Sequence, residues 1–532
     1  MSAATNIPEP QVVPLPVLKV PESAEFHRRM GSISRQAAVY FAGTLLTAAA
    51  GYFFKIYLAR VLGAEALGLY ALGMSIVGVV GLFIGVGLPS SATRFVAEYY
   101  SRGEFLRLGT FLQGSLMLLL LGNLFFGGLV LWVGPWISVH FYHAPTLTSY
   151  FGFFVPIMCF GVFTTFFGQA MAGYQDVGRR TIITNFIGTP ANILIAVILI
   201  SMGFGLRGYL AAQVLSAVLV LALLAACMWK LTPREARAEK PSSRIDKRVI
   251  AFSLTAFGIA TLDFLLTQSD KIVLGYYLRP KQVGIYAVAM ALVAFVPVVL
   301  QSVNQIFSPT IAELHAAGEH ALLQKLYAAL TKWILILTLP LAFAIIFFSR
   351  PLIAMFGHGF EAGAAVLVIG TVGQLFNCAV GSVGFLLLMS GNQLRMVKIQ
   401  ACNAALMISL SLLLVPRFGI IGAAIASTIS VMVTNLWSLA EVLRTLKLFP
   451  YNAGYKKLAP ATLCSIAVLL ALLRASSRIN SIWVLVAAAL LCAYGSFLGA
   501  LWLFGLQPDD RTLAALAWNH VETIFRRGVT WS

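Results

Sequence analysis

Charge is scarce in this 532-residue chain, and negative charge is scarcest. Only 11% of residues are charged, with 19 acids against 37 lysines and arginines. So little charge cannot clothe a soluble domain. A hydrophobic fraction of 59% and a mean hydropathy of +0.88 fit a polytopic membrane protein instead. The shortage of acids also weighs against a membrane enzyme. The loops expected outside the cell are short, and none carries an acidic pair for general acid/base work. Cysteine is rare: Cys159, Cys227, Cys378, Cys402, Cys464 and Cys492 all fall in apolar runs, without CxxC spacing, and read as small core hydrophobes. His140 and His143 share the longest outer loop with no acidic or cysteine partner, too little for a metal site. No cofactor or metal is expected. The first 30 residues lack any long apolar run, because Pro8, Pro10, Pro14, Pro16 and Pro21 interrupt them, so a signal peptide is not predicted.

What the chain does have is apolar length. About fourteen stretches of roughly 20 residues are long enough to cross a bilayer, which predicts an all-α fold of about 14 transmembrane helices. The first half then repeats in the second. With a constant offset of 216, ten of the 26 positions from Lys55 to Val80 recur identically, Lys55 as Lys271 and Gly68-Leu69-Tyr70-Ala71 as Gly284-Ile285-Tyr286-Ala287. Gly103-Glu104 answers Gly318-Glu319, and Phe204-Gly205 answers Phe418-Gly419. A duplicated membrane chain builds two facing bundles with a cavity between them. The predicted organisation is a disordered cytoplasmic tail (1–31), a six-helix lobe (32–230), a basic linker (231–247), a second six-helix lobe (248–446), two further transmembrane helices (447–506) and an interfacial cytoplasmic helix (507–532).

The net charge of +18 follows topology rather than nucleic-acid binding. With the N-terminus inside, 26 Lys and Arg fall on the inner side and eight on the outer, while Lys55, Lys271 and Lys332 lie within spans. This positive-inside bias puts both termini in the cytoplasm and the basic loops against anionic lipid heads.

Ionisable groups inside hydrocarbon are costly and tend to face a cavity. In the seventh span Asp263, Thr267, Asp270 and Lys271 share an arc of about 100° at helical spacing, which predicts one wall of a hydrated cavity. Thr44, Thr47, Gly51 and Lys55 share a face of the first span. The repeat makes Lys55 and Lys271 equivalent, so a pseudo-two-fold axis would bring both ammonium groups toward one centre, where an anion such as a diphosphate could be neutralised. In the eighth span Gln301, Asn304, Gln305 and Ser308 share a face. These amides suit either sugar hydroxyls or helix–helix hydrogen bonds.

The run Asp270-Lys271-Ile272-Val273-Leu274-Gly275 with Val283-Gly284-Ile285-Tyr286 resembles the second-half signature of polysaccharide transporters, and Leu58-Ala59-Arg60-Val61-Leu62-Gly63 with Leu67-Gly68-Leu69-Tyr70 resembles the first-half one. These belong to the multidrug/oligosaccharidyl-lipid/polysaccharide exporter superfamily. The resemblance covers about 32–446 and implies a flippase that carries a polyprenyl-diphosphate-linked oligosaccharide across a bacterial plasma membrane by alternating access. It implies that Lys55, Arg60 and Lys271 face the diphosphate, that Arg94 on the inner rim captures it, and that Asp263 and Asp270 bind a coupling proton or sodium ion. Glycan polymerase and glycosyltransferases are its implied partners. The chain lacks the denser arginine set expected of a dedicated lipid II flippase. A small-molecule antiporter of the same superfamily would prefer an acidic, aromatic pocket, which two lysines oppose. A scaffold of glycan assembly would leave the buried charges without a purpose.

Overall fold

A computed structural model describes residues 22–238, 246–476 and 481–503; side chains up to residue 50 are described only at Thr47 and Ala50. Every regular element among the described residues is helical, since lipid offers no partner for an open backbone N–H or C=O. The first half contains α1 (Glu22–Gly85), α2 (Leu88–Ser101), α3 (Phe105–Trp136), α4 (Phe151–Gly173), α5 (Val177–Thr181), α6 (Thr189–Leu199), α7 (Gly205–Leu231) and α8 (Arg234–Ala238). The second contains α9 (Lys247–Tyr277), α10 (Pro280–Val293), α11 (Val298–Ala316), α12 (His320–Phe347), α13 (Ser349–Ala354), α14 (Gly363–Val380), α15 (Val383–Met389) and α16 (Gln393–Thr445), followed by α17 (Leu458–Ala475) and α18 (Ile482–Leu503).

Ten described helical runs are long and apolar enough to cross a membrane. Three of them, Ala50–Ser101, Val177–Leu231 and Gln393–Thr445, exceed 50 residues, more than twice what hydrocarbon needs. Each is broken by glycine: Gly63 at φ 79° and ψ 173°, Gly203 and Gly205, and Gly419. Each therefore holds two passes. With α10 and α11, a pair bent by 52°, as one more candidate, the described residues have the length and composition for fourteen passes when the three long runs are divided at their glycines.

The duplication is visible in the backbone. Gly205 (φ 54°, ψ −131°) and Gly419 (φ 58°, ψ −135°) are repeat partners in nearly the same conformation, one that a side chain would forbid. Gly103 and Gly318, also partners, end their helices at φ 70° and 74°. The halves meet where α1 crosses α10. A Cβ on Gly68 would lie 1.7 Å from the Pro280 carbonyl oxygen, and one on Gly284 would lie 1.9 Å from that of Ala64. Because Ala64 and Pro280 are themselves repeat partners, a pseudo-two-fold axis passes through this crossing. Small residues bring helix backbones this close.

One sequence-based boundary shifts. Helix α1 already begins at Glu22, so the last part of the expected tail is helical. The segment from 92 to 105, which mixes Arg94, Glu98 and Arg102 with aromatics, reads as a surface helix. Within it α2 buries Ala92, Phe95, Val96 and Tyr99. The expected interfacial helix at 507–532 lies outside the described residues, as do 1–21 and part of the linker, 239–245.

Candidate functional site

Beyond the Gly68–Gly284 crossing, α1 and α9 diverge around a cavity of about 630 Å³. Lys55, Tyr70 and Met74 line it from α1, Phe264, Gln268 and Lys271 from α9, and Met290 from α10. Three identical repeat pairs contribute both members: Lys55 with Lys271, Ala71 with Ala287, and Met74 with Met290. The pseudo-symmetry thus converges two ammonium groups on one space, as the repeat predicts. Among the described residues no carboxylate lines it. Lys55 makes no ion pair among the described residues, and the Lys271 ammonium donates to Gln268 Oε1 at 2.8 Å. A partly apolar cavity with two cations and no acid attracts an anion and holds it without competition.

The acids stand elsewhere. Asp270 is buried, 7% exposed, and its two oxygens are occupied: one accepts the Lys271 backbone N–H at 2.7 Å and the other accepts the Tyr286 hydroxyl at 2.7 Å. It ties α9 to α10 and does not line the cavity. Asp263 is exposed and also outside the lining, and Thr267 donates to the Asp263 carbonyl at 2.9 Å. The shared arc predicted for Asp263, Thr267, Asp270 and Lys271 therefore splits. Phe264, Gln268 and Lys271 face the cavity, while Asp270 turns into the α9–α10 contact. In the first half Phe54 occupies the Asp270 position, and Gln213 donates to the Tyr70 and Tyr209 hydroxyls at 2.9 and 2.7 Å. Two equivalent tyrosines thus have different partners.

Arg60 and Arg94 also sit outside this cavity. Arg60 donates Nε–H to the Met355 carbonyl at 2.8 Å, and its guanidinium lies 5.9 Å from the Trp483 ring, so it links α1 to the second half beside the Gly68–Gly284 end. Arg94 lies at the opposite end, where α2 meets α9. Its guanidinium packs on Phe252 at 4.7 Å. The Ser91 and Ser253 hydroxyls are 2.6 Å apart, Glu98 lies 3.7 Å from Arg248, and a Cβ on Gly87 would lie 2.0 Å from the Ser253 carbonyl oxygen. Asp246, just before α9, accepts the Arg248 backbone N–H and guanidinium, and these bonds hold its carboxyl below the usual range, the backbone bond most. The cavity is thus bracketed by two contacts between the halves. A Ser91→Cys/Ser253→Cys double variant, made with the native cysteines replaced, is expected to form a disulfide on mild oxidation, because the side-chain oxygens already touch. Mass spectrometry checks the bond, and a free-thiol form after oxidation would mean that this contact is not adopted in the membrane.

Gln301 and Asn304 do not join the lysines. Both line a second cavity of about 440 Å³ within the second half. Tyr70, Met74, Tyr209 and Gln268 are lining residues that polarity alone does not single out; identity across the repeat marks Tyr70 and Met74.

Comparison with known proteins places this architecture. The solved structure entitled "Lipid II flippase MurJ, inward closed conformation" superposes with a TM-score of 0.72 over 88% of this chain and 98% of that one, at 15% identity. An inward-facing multidrug resistance MATE family transporter of the MOP superfamily gives 0.61 over 77% and 99%, at 16% identity. In sequence, the protein of Haloferax volcanii described as "Probable low-salt glycan biosynthesis flippase Agl15" is 21% identical over 407 residues, 76% of this chain and 82% of that protein. The family model described as polysaccharide biosynthesis protein matches residues 33–315. That match spans more than half of the chain, which is therefore a multi-pass, all-α member of the polysaccharide biosynthesis protein family.

Proposed function

We propose that the protein is a flippase that carries a polyprenyl-diphosphate-linked oligosaccharide across the plasma membrane of a bacterium by alternating access. The observation that carries this reading is the cavity with two repeat-related lysines and no acid. A glycan head is too polar to cross hydrocarbon unaided, since each unpaired hydroxyl costs several kcal/mol. Lys55 and Lys271 neutralise the diphosphate, and the polyprenyl tail stays in lipid. Lysine suits a moving phosphate because it is a flexible point charge. The relatives described as flippases support the same class of cargo.

The positive-inside orientation makes the Gly68–Gly284 crossing the outer closure and the α2–α9 contact the inner one. Arg60 then braces the outer closure, and Arg94 stands at the inner rim, where an arriving diphosphate first meets the protein. Of the two acids, Asp270 is our candidate for coupling to a proton or sodium ion, because it joins the backbone of Lys271 to Tyr286. Asp263 lacks such a link to the cavity. This is a carrier rather than a catalyst. Its partners are the lipid-linked glycan and membrane lipids, with glycosyltransferases upstream and a glycan polymerase downstream. Gene deletion is expected to accumulate lipid-linked oligosaccharide on the inner leaflet, with rescue by the wild-type chain. No accumulation would reject the substrate class and favour a small-molecule antiporter.

A further inference from the structure

The second cavity differs from the first in chemistry. It lies among α10, α11, α14, α15 and α16, and six of its lining side chains are amides: Gln301, Asn304, Gln374, Asn377, Gln400 and Asn435. Ser382, Thr434 and Ser438 add hydroxyls, and among the described residues no ionisable side chain lines it. Lys332, a buried lysine of α12, is not among the lining residues.

These amides are only partly used. Asn377 donates to Gln374 Oε1 at 3.1 Å, and Asn435 donates to the Val431 carbonyl at 2.9 Å, which accounts for one end of each. Asn304 is 9% exposed and Ser382 is 2% exposed, yet Asn304 Oδ1 and Ser382 Oγ have no hydrogen-bond partner. Buried polar atoms are paired in the great majority of cases; these two are not open to the cavity as the side chains stand, and it is the six lining amides that call for a polar occupant. A lone ion would find no compensating charge in hydrocarbon. An apolar molecule would leave every amide unpaired. At about 440 Å³ the space far exceeds the roughly 30 Å³ share of one water. A compact molecule with many groups that both donate and accept, such as a sugar, matches amides and hydroxyls group for group.

The cavities adjoin. Met290 lines both, and Ala294 joins the amide cavity to a third space of about 250 Å³ that shares Lys55, Ala291 and Phe356 with the lysine cavity. The amide cavity and the third space both reach the break between α10 and α11 at 294–297, and the lysine cavity ends at Ala291, just before it. One ligand can therefore place its anion between the lysines and its glycan among the amides.

We propose that the amide-lined cavity is a subsite for uncharged sugar residues of the cargo and selects neutral glycans over those bearing uronic acids. This rests on the lysine cavity as the diphosphate site. A uronate here would bury an unpaired carboxylate, which is strongly disfavoured.

The test measures binding to the full chain in nanodiscs with three probes: bare undecaprenyl diphosphate, the same lipid with a neutral oligosaccharide, and the same lipid with an equally long glycan containing uronic acids. The neutral glycan is expected to tighten binding by about tenfold over the bare lipid, and the uronate glycan not at all. Asn304→Leu is expected to abolish the neutral-glycan gain. Gln400→Leu, on another helix, provides the same readout if the first variant fails to insert. A gain that persists in the variants, or a uronate glycan bound as tightly as the neutral one, overturns the subsite. If Lys55→Ala/Lys271→Ala leaves bare-lipid binding intact, the diphosphate reading fails, while the dependence of the glycan gain on Asn304 still decides the subsite.

Discussion

Replacing Lys55 and Lys271 together with alanine is expected to slow lipid-linked oligosaccharide flipping by at least about 100-fold. A hydrogen bond to a charged group contributes about 1.5–3 kcal/mol. Two such groups acting on one diphosphate amount to roughly two decades or more in affinity, at about 1.4 kcal/mol per tenfold. Single Lys→Ala variants are expected to lose about tenfold each, and similarly, because the residues are related by the repeat. Lys→Arg should recover part of the rate, since charge is retained while the planar guanidinium fits a different geometry. Protein insertion should be normal, as among the described residues Lys55 makes no ion pair and the Lys271 ammonium donates to the neutral Gln268 amide. Flipping is measured in proteoliposomes at matched protein content. Wild-type rates in the double variant would remove the lysine cavity from the mechanism and leave the anion to be bound elsewhere.

The second large effect concerns the Gly68–Gly284 crossing, the outer closure in the proposed orientation. Gly68→Val and Gly284→Val each push a side chain into the partner helix, where the obstructing atoms are backbone carbonyls 1.7 and 1.9 Å from the new Cβ. A flexible side chain could yield, but a backbone carbonyl cannot, so α1 and α10 must separate. Overpacking of this kind costs typically 1–3 kcal/mol. That cost falls on the outward-closed state and shifts the population toward states in which the crossing is open. The expected result is faster labelling of a cysteine at Ala71, a cavity-lining position, by an impermeant thiol reagent added from outside. At 1.4 kcal/mol the increase is about tenfold. The native cysteines are replaced for this measurement. Both variants should behave alike because the contact is reciprocal. Gly284→Ala, with the smallest Cβ, serves as a milder variant if valine prevents insertion. Unchanged labelling in all three would mean that this crossing does not gate the cavity.

Much of the architecture was legible before any coordinate. Lipid permits few spanning structures, so composition and apolar length already imply a helical bundle. The offset of 216 carries more. It pairs Lys55 with Lys271 and Gly68 with Gly284, and in three dimensions the first pair shares a cavity and the second shares a crossing. Helical spacing was less informative. It grouped Asp263, Thr267, Asp270 and Lys271 on one arc about 100° wide, yet that arc straddles the boundary between the cavity and the α10 contact. Tyr286 arrives from another helix to claim Asp270, and no periodicity in α9 announces it.

What the chain settles by itself is symmetry, span number and the sign of the charge at its centre, because these depend on residue identity and on distances along one strand of sequence. What only the tertiary structure decided is which polar side chains share a space. Gln301 and Asn304 occupy a face as polar as any in the chain, but the 52° bend between α10 and α11 sends them into a cavity of their own. Arg60, which the resemblance places before the diphosphate, stands outside the lysine cavity and gives its Nε–H to the Met355 carbonyl. A helix can specify which side chains point the same way, whereas the helices packed against it determine whether they meet water, lipid, cargo or one another.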